Sequence, residues 1–99
     1  METYRLERDL PVVDGYDLFV AGGGPAGYSA AICAARMGAK VLLAEMTGAL
    51  GGMATSGQVT QLDTTSDGER MLVGGLMGEV IRKLYGRGYI DPYYSFERF

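Results

Sequence analysis

The chain opens on METYRLERDLPVV, where charged and apolar residues mix without a sustained period. The turn pair Asp14-Gly15 follows, so residues 1–15 read as a lead-in segment. Tyr16 to Ala21 (YDLFVA) is a short apolar run halted by three glycines. That pattern predicts a strand buried on both faces, as in a parallel sheet. Pro25 then stands where a first helical turn tolerates a missing N–H, and Ala26 to Met37 is rich in alanine, a strong helix former. Gly27, Ala31, Ala34 and Gly38 recur at spacings of four, three and four, which lines them up on one stripe of tiny residues. Such a stripe lets a helix approach a sheet closely, with Ser29 and Arg36 on the wetter side. Gly38 closes the helix, and Lys40 to Glu45 (KVLLAE) predicts a second buried strand. Strand, helix and strand within about thirty residues make one βαβ unit, the mode of a parallel sheet.

Beyond it, Met46 to Gly57 reads as a loop with a second glycine pair, Gly51-Gly52. Residues 58–73 suggest two short strands about an Asp67-Gly68 turn. Val73, Leu76, Met77, Val80, Ile81 and Leu84 follow helical periodicity, with Glu79 and Lys83 paired at i,i+4 and Gly86 and Gly88 at the end.

Composition narrows the class. With 99 residues, 47% hydrophobic and 21% charged, the chain suits one small globular domain. Its net charge of −3 and lack of a basic run remove the phosphate-neutralising surface that nucleic-acid binding needs. Cys33 is the single cysteine, which excludes an internal disulfide and fits a reducing compartment, so a cytoplasmic location is expected. The uncharged run Leu18 to Ala35 has membrane-span length, but Gly22-Gly23-Gly24-Pro25 interrupts it, and strand, turn and helix explain it better. No signal peptide and no membrane association are expected.

The chemistry lies in Gly22-Gly23-Gly24-Pro25-Ala26-Gly27, a GxGxxG pattern. Gly22 permits the turn out of the strand, Gly24 lets a pyrophosphate approach the backbone, and Gly27 allows tight helix–strand contact. The free N–H groups and positive dipole end of the helix then face the phosphates. The pattern follows a predicted strand and opens a predicted helix. Glu45, 23 residues past Gly22, ends the next strand at the spacing of a ribose-binding acid. A carboxylate there accepts from ribose hydroxyls and repels a 2′-phosphate, which disfavours NADP. FAD and NAD both stay admissible on these residues alone.

Residues 12–57 resemble the N-terminus of flavoproteins of the glutathione-reductase structural class. More narrowly, Leu50-Gly51-Gly52-Met53-Ala54-Thr55-Ser56-Gly57 and Val73 to Leu84 (VGGLMGEVIRKL) resemble a family of FAD-dependent oxidoreductases. The resemblance implies an α/β Rossmann-like FAD/NAD(P)-binding fold of which residues 16–99 are the N-terminal part, within a three-layer parallel-sheet domain. It implies FAD as cofactor, with its ADP half on Gly22, Gly24, Pro25, Ala26 and Gly27, and its ribose on Glu45 with Met46 beside it. Gly51, Gly52 and Met53 would lie along the pyrophosphate toward the flavin, where adjacent glycines free backbone donors. Family members are several-fold longer, so the chain is expected to be a fragment, inactive alone and in need of a C-terminal portion or a complementing chain. The substrate and any catalytic residue stay unknown. An NAD-binding dehydrogenase fragment and a non-enzymatic nucleotide-binding module remain as alternatives.

Other chemistries fall away. A P-loop needs GK[ST], and Gly27 is followed by Tyr28-Ser29. Ser29 and Ser56 have no histidine to act as base. Cys33 alone makes no redox disulfide and reads as an inert packed residue. Asp63, Asp67 and Glu69 read as a solvated loop and not a metal cluster. Met71, Met77 and the other methionines read as core filler, and Tyr93, Tyr94, Phe96 and Phe99 as an aromatic tail packing on a neighbouring element.

Overall fold

A computed structural model of the chain describes residues 1–59, 65, 67 and 69–90. The chain divides into two compact units, Met1–Met46 and Thr47–Phe99.

In the first unit, residues 1–15 run without regular structure and are exposed. Strand β1 (Leu18–Ala21), helix α1 (Pro25–Arg36) and strand β2 (Val41–Ala44) follow, and the strands pair in parallel from Leu18↔Val41 to Ala21↔Ala44. The βαβ unit is the expected one. Both strands are shorter than the apolar runs that predict them. The entry to the pairing is clasped by Asp17: its N–H donates to the Lys40 carbonyl at 2.8 Å, and its Oδ2 accepts from the Lys40 N–H at 2.7 Å. The Lys40 ammonium also sits 5.2 Å from the centre of the Tyr16 ring. These polar contacts at residues 16, 17 and 40 explain why the regular strands start one or two positions later.

Helix α1 covers one face of the pair. A side chain at Gly27 would approach Val20 Cγ1 to 3.5 Å, so Val20 lies under the helix, while strand alternation turns Phe19 to the opposite face. The helix ends as expected at Gly38, with Gly38 N–H donating to Ala35 O and Ala39 N–H to Ala34 O, the paired bonds of a Schellman closure. Ala31, in the small-residue stripe, is buried at 9% exposure.

Burial on both faces is not what the strands show. Phe19 is 60% exposed, because within this unit one helix lies over one face of a two-stranded sheet. Cys33 is likewise exposed and not packed. Met37, Met46 and Met53 are exposed and Met71 and Met77 half-buried, so the methionines are not a common core filler. Among the described residues no helix is long and apolar enough to cross a membrane; Leu18 to Ala35 is β1, the glycine turn and most of α1.

The second unit holds the 3-10 turn Gly52–Ala54 and helix α2 (Gly75–Gly86). The predicted helix is present but starts two residues after Val73, because Gly74 is extended and Gly75 has φ +59°. Ile81 and Gly78 are its buried residues. The expected Lys83–Glu79 pair forms at 3.6 Å, and at this exposure it adds only a few tenths of a kcal/mol, about 0.3–0.5. Gly88 N–H donates to Tyr85 O and Tyr89 N–H to Leu84 O, repeating the Schellman closure of α1.

Of the two short strands expected in 58–73, residues 60–64, 66 and 68 lie outside the described residues; the described ones hold an isolated β-bridge residue, Met71, and the turn at Asp67. Asp67 N–H donates to Arg70 O, and Leu72 N–H to Thr65 O across it. Asp67 Oδ1 accepts from the N–H groups of Arg70 at 2.6 Å and Glu69 at 2.9 Å. These bonds, the one from Arg70 first, hold the Asp67 carboxyl below the usual carboxylate range. What it contributes to the turn is present above the ordinary carboxylate pKa and lost as the pH falls through the lowered one. Asp63, Gly68 and the aromatic tail Tyr93 to Phe99 lie outside the described residues. Among the described residues no group of three or more His, Cys, Asp or Glu is placed to hold a metal ion.

Candidate functional site

The site in the first unit grows from the end of β1. Three successive glycines carry no side chain that would continue a sheet, and Gly22 leaves the strand with φ +108°, a conformation that L side chains rarely adopt. Its N–H still donates to the Ala44 carbonyl at 2.8 Å, so the turn begins while attached to β2. The chain then reverses into α1, with Gly24 as N-cap and Pro25 at the first position.

Gly27 faces back onto this turn. A Cβ there would overlap the carbonyl oxygen of Gly22, so only glycine lets the first helical turn lie against the strand exit. The sequence expectation for this glycine is met in its physical cause: close approach of helix and strand.

The helix start has the character of an anion site. No side chain caps it, and its first turn holds no acidic residue. The first ladder bond runs from Tyr28 N–H to Gly24 O at 2.9 Å, so the Ala26 and Gly27 amides come before the ladder, at the positive end of the helix. A bound phosphate group would satisfy amides that no side chain in this turn does.

Glu45 is the residue after β2, and the parallel register sets it beside the glycine turn. Its Oε1 accepts from Gly23 N–H at 3.0 Å, a contact joining residues 22 positions apart. The acid and the glycine turn are thereby brought into one site, as their spacing in the sequence suggests. The direct bond between them is not visible in the spacing. The register explains it, since Ala21 opposite Ala44 leaves Glu45 next to the turn. Met46 follows, 98% exposed, an apolar side chain at the rim of the site.

Gly51, Gly52 and Met53 form a separate turn in the second unit. Gly51 has φ +111° and packs against the Thr55 side chain, whose Oγ1 donates to Leu50 O at 2.6 Å. Ala54, Thr55, Gly57, Gln58 and Val59 donate the backbone bonds that fold this segment, and none of those bonds is donated by Gly51, Gly52 or Met53. The Thr47 and Ser56 hydroxyls lie 3.1 Å apart and tie its two ends.

Sequence reading missed Gln58, which has φ +56° and is the non-glycine residue with positive φ among the described residues. Its N–H donates to Thr55 O, which fixes the conformation. A left-handed backbone at a non-glycine residue costs roughly 1–2 kcal/mol, and glycine gives back about 0.5–1 kcal/mol of that through its freer unfolded state. Gln58→Gly is therefore expected to stabilise the chain by about 0.5 kcal/mol, and Gln58→Val to destabilise it by at least about 1 kcal/mol, in denaturant unfolding. Equal stabilities would remove strain from this position.

Three comparisons with known proteins bear on the site. The family model described as FAD dependent oxidoreductase matches residues 17–98. The chain is 53% identical over 45 residues to a dihydrolipoyl dehydrogenase of Trypanosoma brucei brucei, a stretch covering 46% of this chain and 9% of that protein. It is 42% identical over 80 residues to the tRNA uridine 5-carboxymethylaminomethyl modification enzyme MnmG of Aquifex aeolicus (strain VF5), covering 71% of this chain and 12% of that protein. The chain thus spans about a tenth of the length of these curated relatives. No solved structure matches it.

Proposed function

The chain belongs to the FAD dependent oxidoreductase family, and on that premise we propose that its first unit cradles the ADP half of FAD. The observation that carries this reading is the 3.0 Å bond between Glu45 and Gly23, which gathers an acid and an uncapped helix start into one site. In this reading the pyrophosphate lies over Gly22, Gly24, Pro25, Ala26 and Gly27 and takes the amides that precede the α1 ladder. Glu45 accepts from the ribose hydroxyls. Met46 offers an apolar, polarisable side chain to the adenine. Gly51, Gly52 and Met53 are the second glycine turn of this reading, in the other unit, where adjacent glycines leave the backbone open to a phosphate oxygen.

When bound, the flavin supplies the hydride or electron transfer, and the protein binds and orients it. The carboxylate of Glu45 works against a 2′-phosphate and so selects against NADP. The substrate-side groups of the oxidoreductase are not assigned to any residue of this chain. A single cysteine supports a reducing, cytoplasmic setting.

Protein carrying this segment is expected to purify yellow, with flavin absorbance bands; a colourless protein saturable by NAD would contradict the FAD reading. Gly24→Val places a β-branched side chain where the pyrophosphate approaches and is expected to abolish binding. Glu45→Ala is expected to weaken it by about 1–3 kcal/mol, the range for losing hydrogen bonds to a charged acceptor. Flavin titration of the two variants checks both, and unchanged affinity in Gly24→Val would reduce the glycine run to a mere turn.

A further inference from the structure

Gly22, Gly23 and Gly24 form a run with no side chains to hold it, and glycine loses more backbone freedom on ordering than any other residue. Two contacts order its first half. Gly22 N–H donates to the Ala44 carbonyl at 2.8 Å, one step beyond the last strand pair, Ala21↔Ala44. The next amide, that of Gly23, goes to a side chain instead: it donates to Glu45 Oε1 at 3.0 Å, and Gly23 is the buried residue of the run.

From this succession we infer that Glu45 is a positioning residue for the glycine turn, in addition to its proposed contact with ribose. The β1 amides that meet β2 are those of alternate residues, Leu18 and Gly22 among them, so a continued strand would turn the Gly23 amide away from β2; the turn at Gly22, with φ +108°, brings it instead onto the Glu45 carboxylate. A buried amide requires an acceptor, and an ionised oxygen is a stronger one than a neutral carbonyl. The turn is therefore set in its phosphate-facing form before a nucleotide arrives, and binding does not have to order it. This functional consequence rests on the reading of the turn as a pyrophosphate cradle; the anchoring itself does not.

The test is amide hydrogen exchange of the full chain without nucleotide, read residue by residue by NMR. Gly23 is expected to be protected in the wild type and to stay largely protected in Glu45→Gln, whose side-chain oxygen still accepts. In Glu45→Ala it is expected to exchange roughly ten- to a hundredfold faster, while Gly22, bonded to the Ala44 carbonyl, keeps its protection. An unprotected Gly23 in the wild type, or equal protection in the wild type and Glu45→Ala, would overturn the inference. If Glu45→Ala fails to fold, the other variant decides: Gly23 exchanging in Glu45→Gln as fast as an unstructured glycine, with Gly22 protected, overturns it as well. A Gly23 that behaves as expected while ADP perturbs other residues would sink the cradle reading and leave the anchor standing.

Discussion

Gly27→Ala is expected to destabilise the βαβ unit by at least about 3 kcal/mol and to lower flavin affinity more than about a hundredfold. The new methyl would overlap the carbonyl oxygen of Gly22 and crowd its carbonyl carbon. Both obstacles are backbone atoms, so no rotamer change relieves them, and the helix start must move away from the strand exit. That movement would also shift the Ala26 and Gly27 amides, on which the proposed phosphate contact rests. Gly22→Ala is the informative contrast. A Cβ at Gly22 meets nothing within 4 Å, and the substitution carries only the strain of φ +108°, roughly 1–2 kcal/mol. Denaturant unfolding of the chain, together with flavin titration of a longer protein that carries this segment, separates the two variants. A Gly27→Ala chain as stable as the wild type would show that the close contact is not a constraint.

The 99-residue chain expressed by itself is expected to bind FAD only in the millimolar range, on the order of −4 kcal/mol. The reason lies in how little apolar surface it buries. Among the described residues the buried hydrophobic side chains are Ala31 at 9% exposure and Ile81 at 8%, while Phe19 and Leu18 stand exposed on β1. A two-stranded sheet with one covered face and open edges is a weak platform, and with a single cysteine no internal disulfide staples it. Supplying a longer stretch of the family's domain, in the same chain or as a complementing one, is expected to cover the Phe19 face and raise the affinity. Flavin retained by the 99-residue chain through gel filtration would contradict this.

The sequence carries the first unit in some detail. Period and turn residues locate β1, α1 and β2 to within one or two positions, and the small-residue stripe foretells the Gly27 contact. The shortening of the strands at Asp17 and Lys40 was not legible, because it depends on a polar clasp between residues 23 positions apart. Burial is overestimated from the sequence for a related reason: an apolar run reports what a strand is built to be buried by, and for Phe19 that partner is not within its unit. In the second unit the periodicity of α2 and the turn at Asp67 are plain in the sequence, while the two short strands expected about that turn fall largely outside the described residues. The left-handed Gln58 had no signal, since it is imposed by the bonds that close the turn from Gly51 to Val59. At the site, the residue types pointed to both the glycine turn and Glu45, and the hydrogen bond joining them needed the strand register.

The most direct measurement is an NMR titration of the isotopically labelled chain with ADP at millimolar concentration, where weak binding is still visible. Shifts concentrated on the amides of Gly22 to Gly27 and on Glu45, and diminished when the ligand carries a 2′-phosphate, are the predicted result. Shifts absent from those residues, or unchanged by the 2′-phosphate, would contradict the assignment of this turn and this acid to the ADP half of FAD.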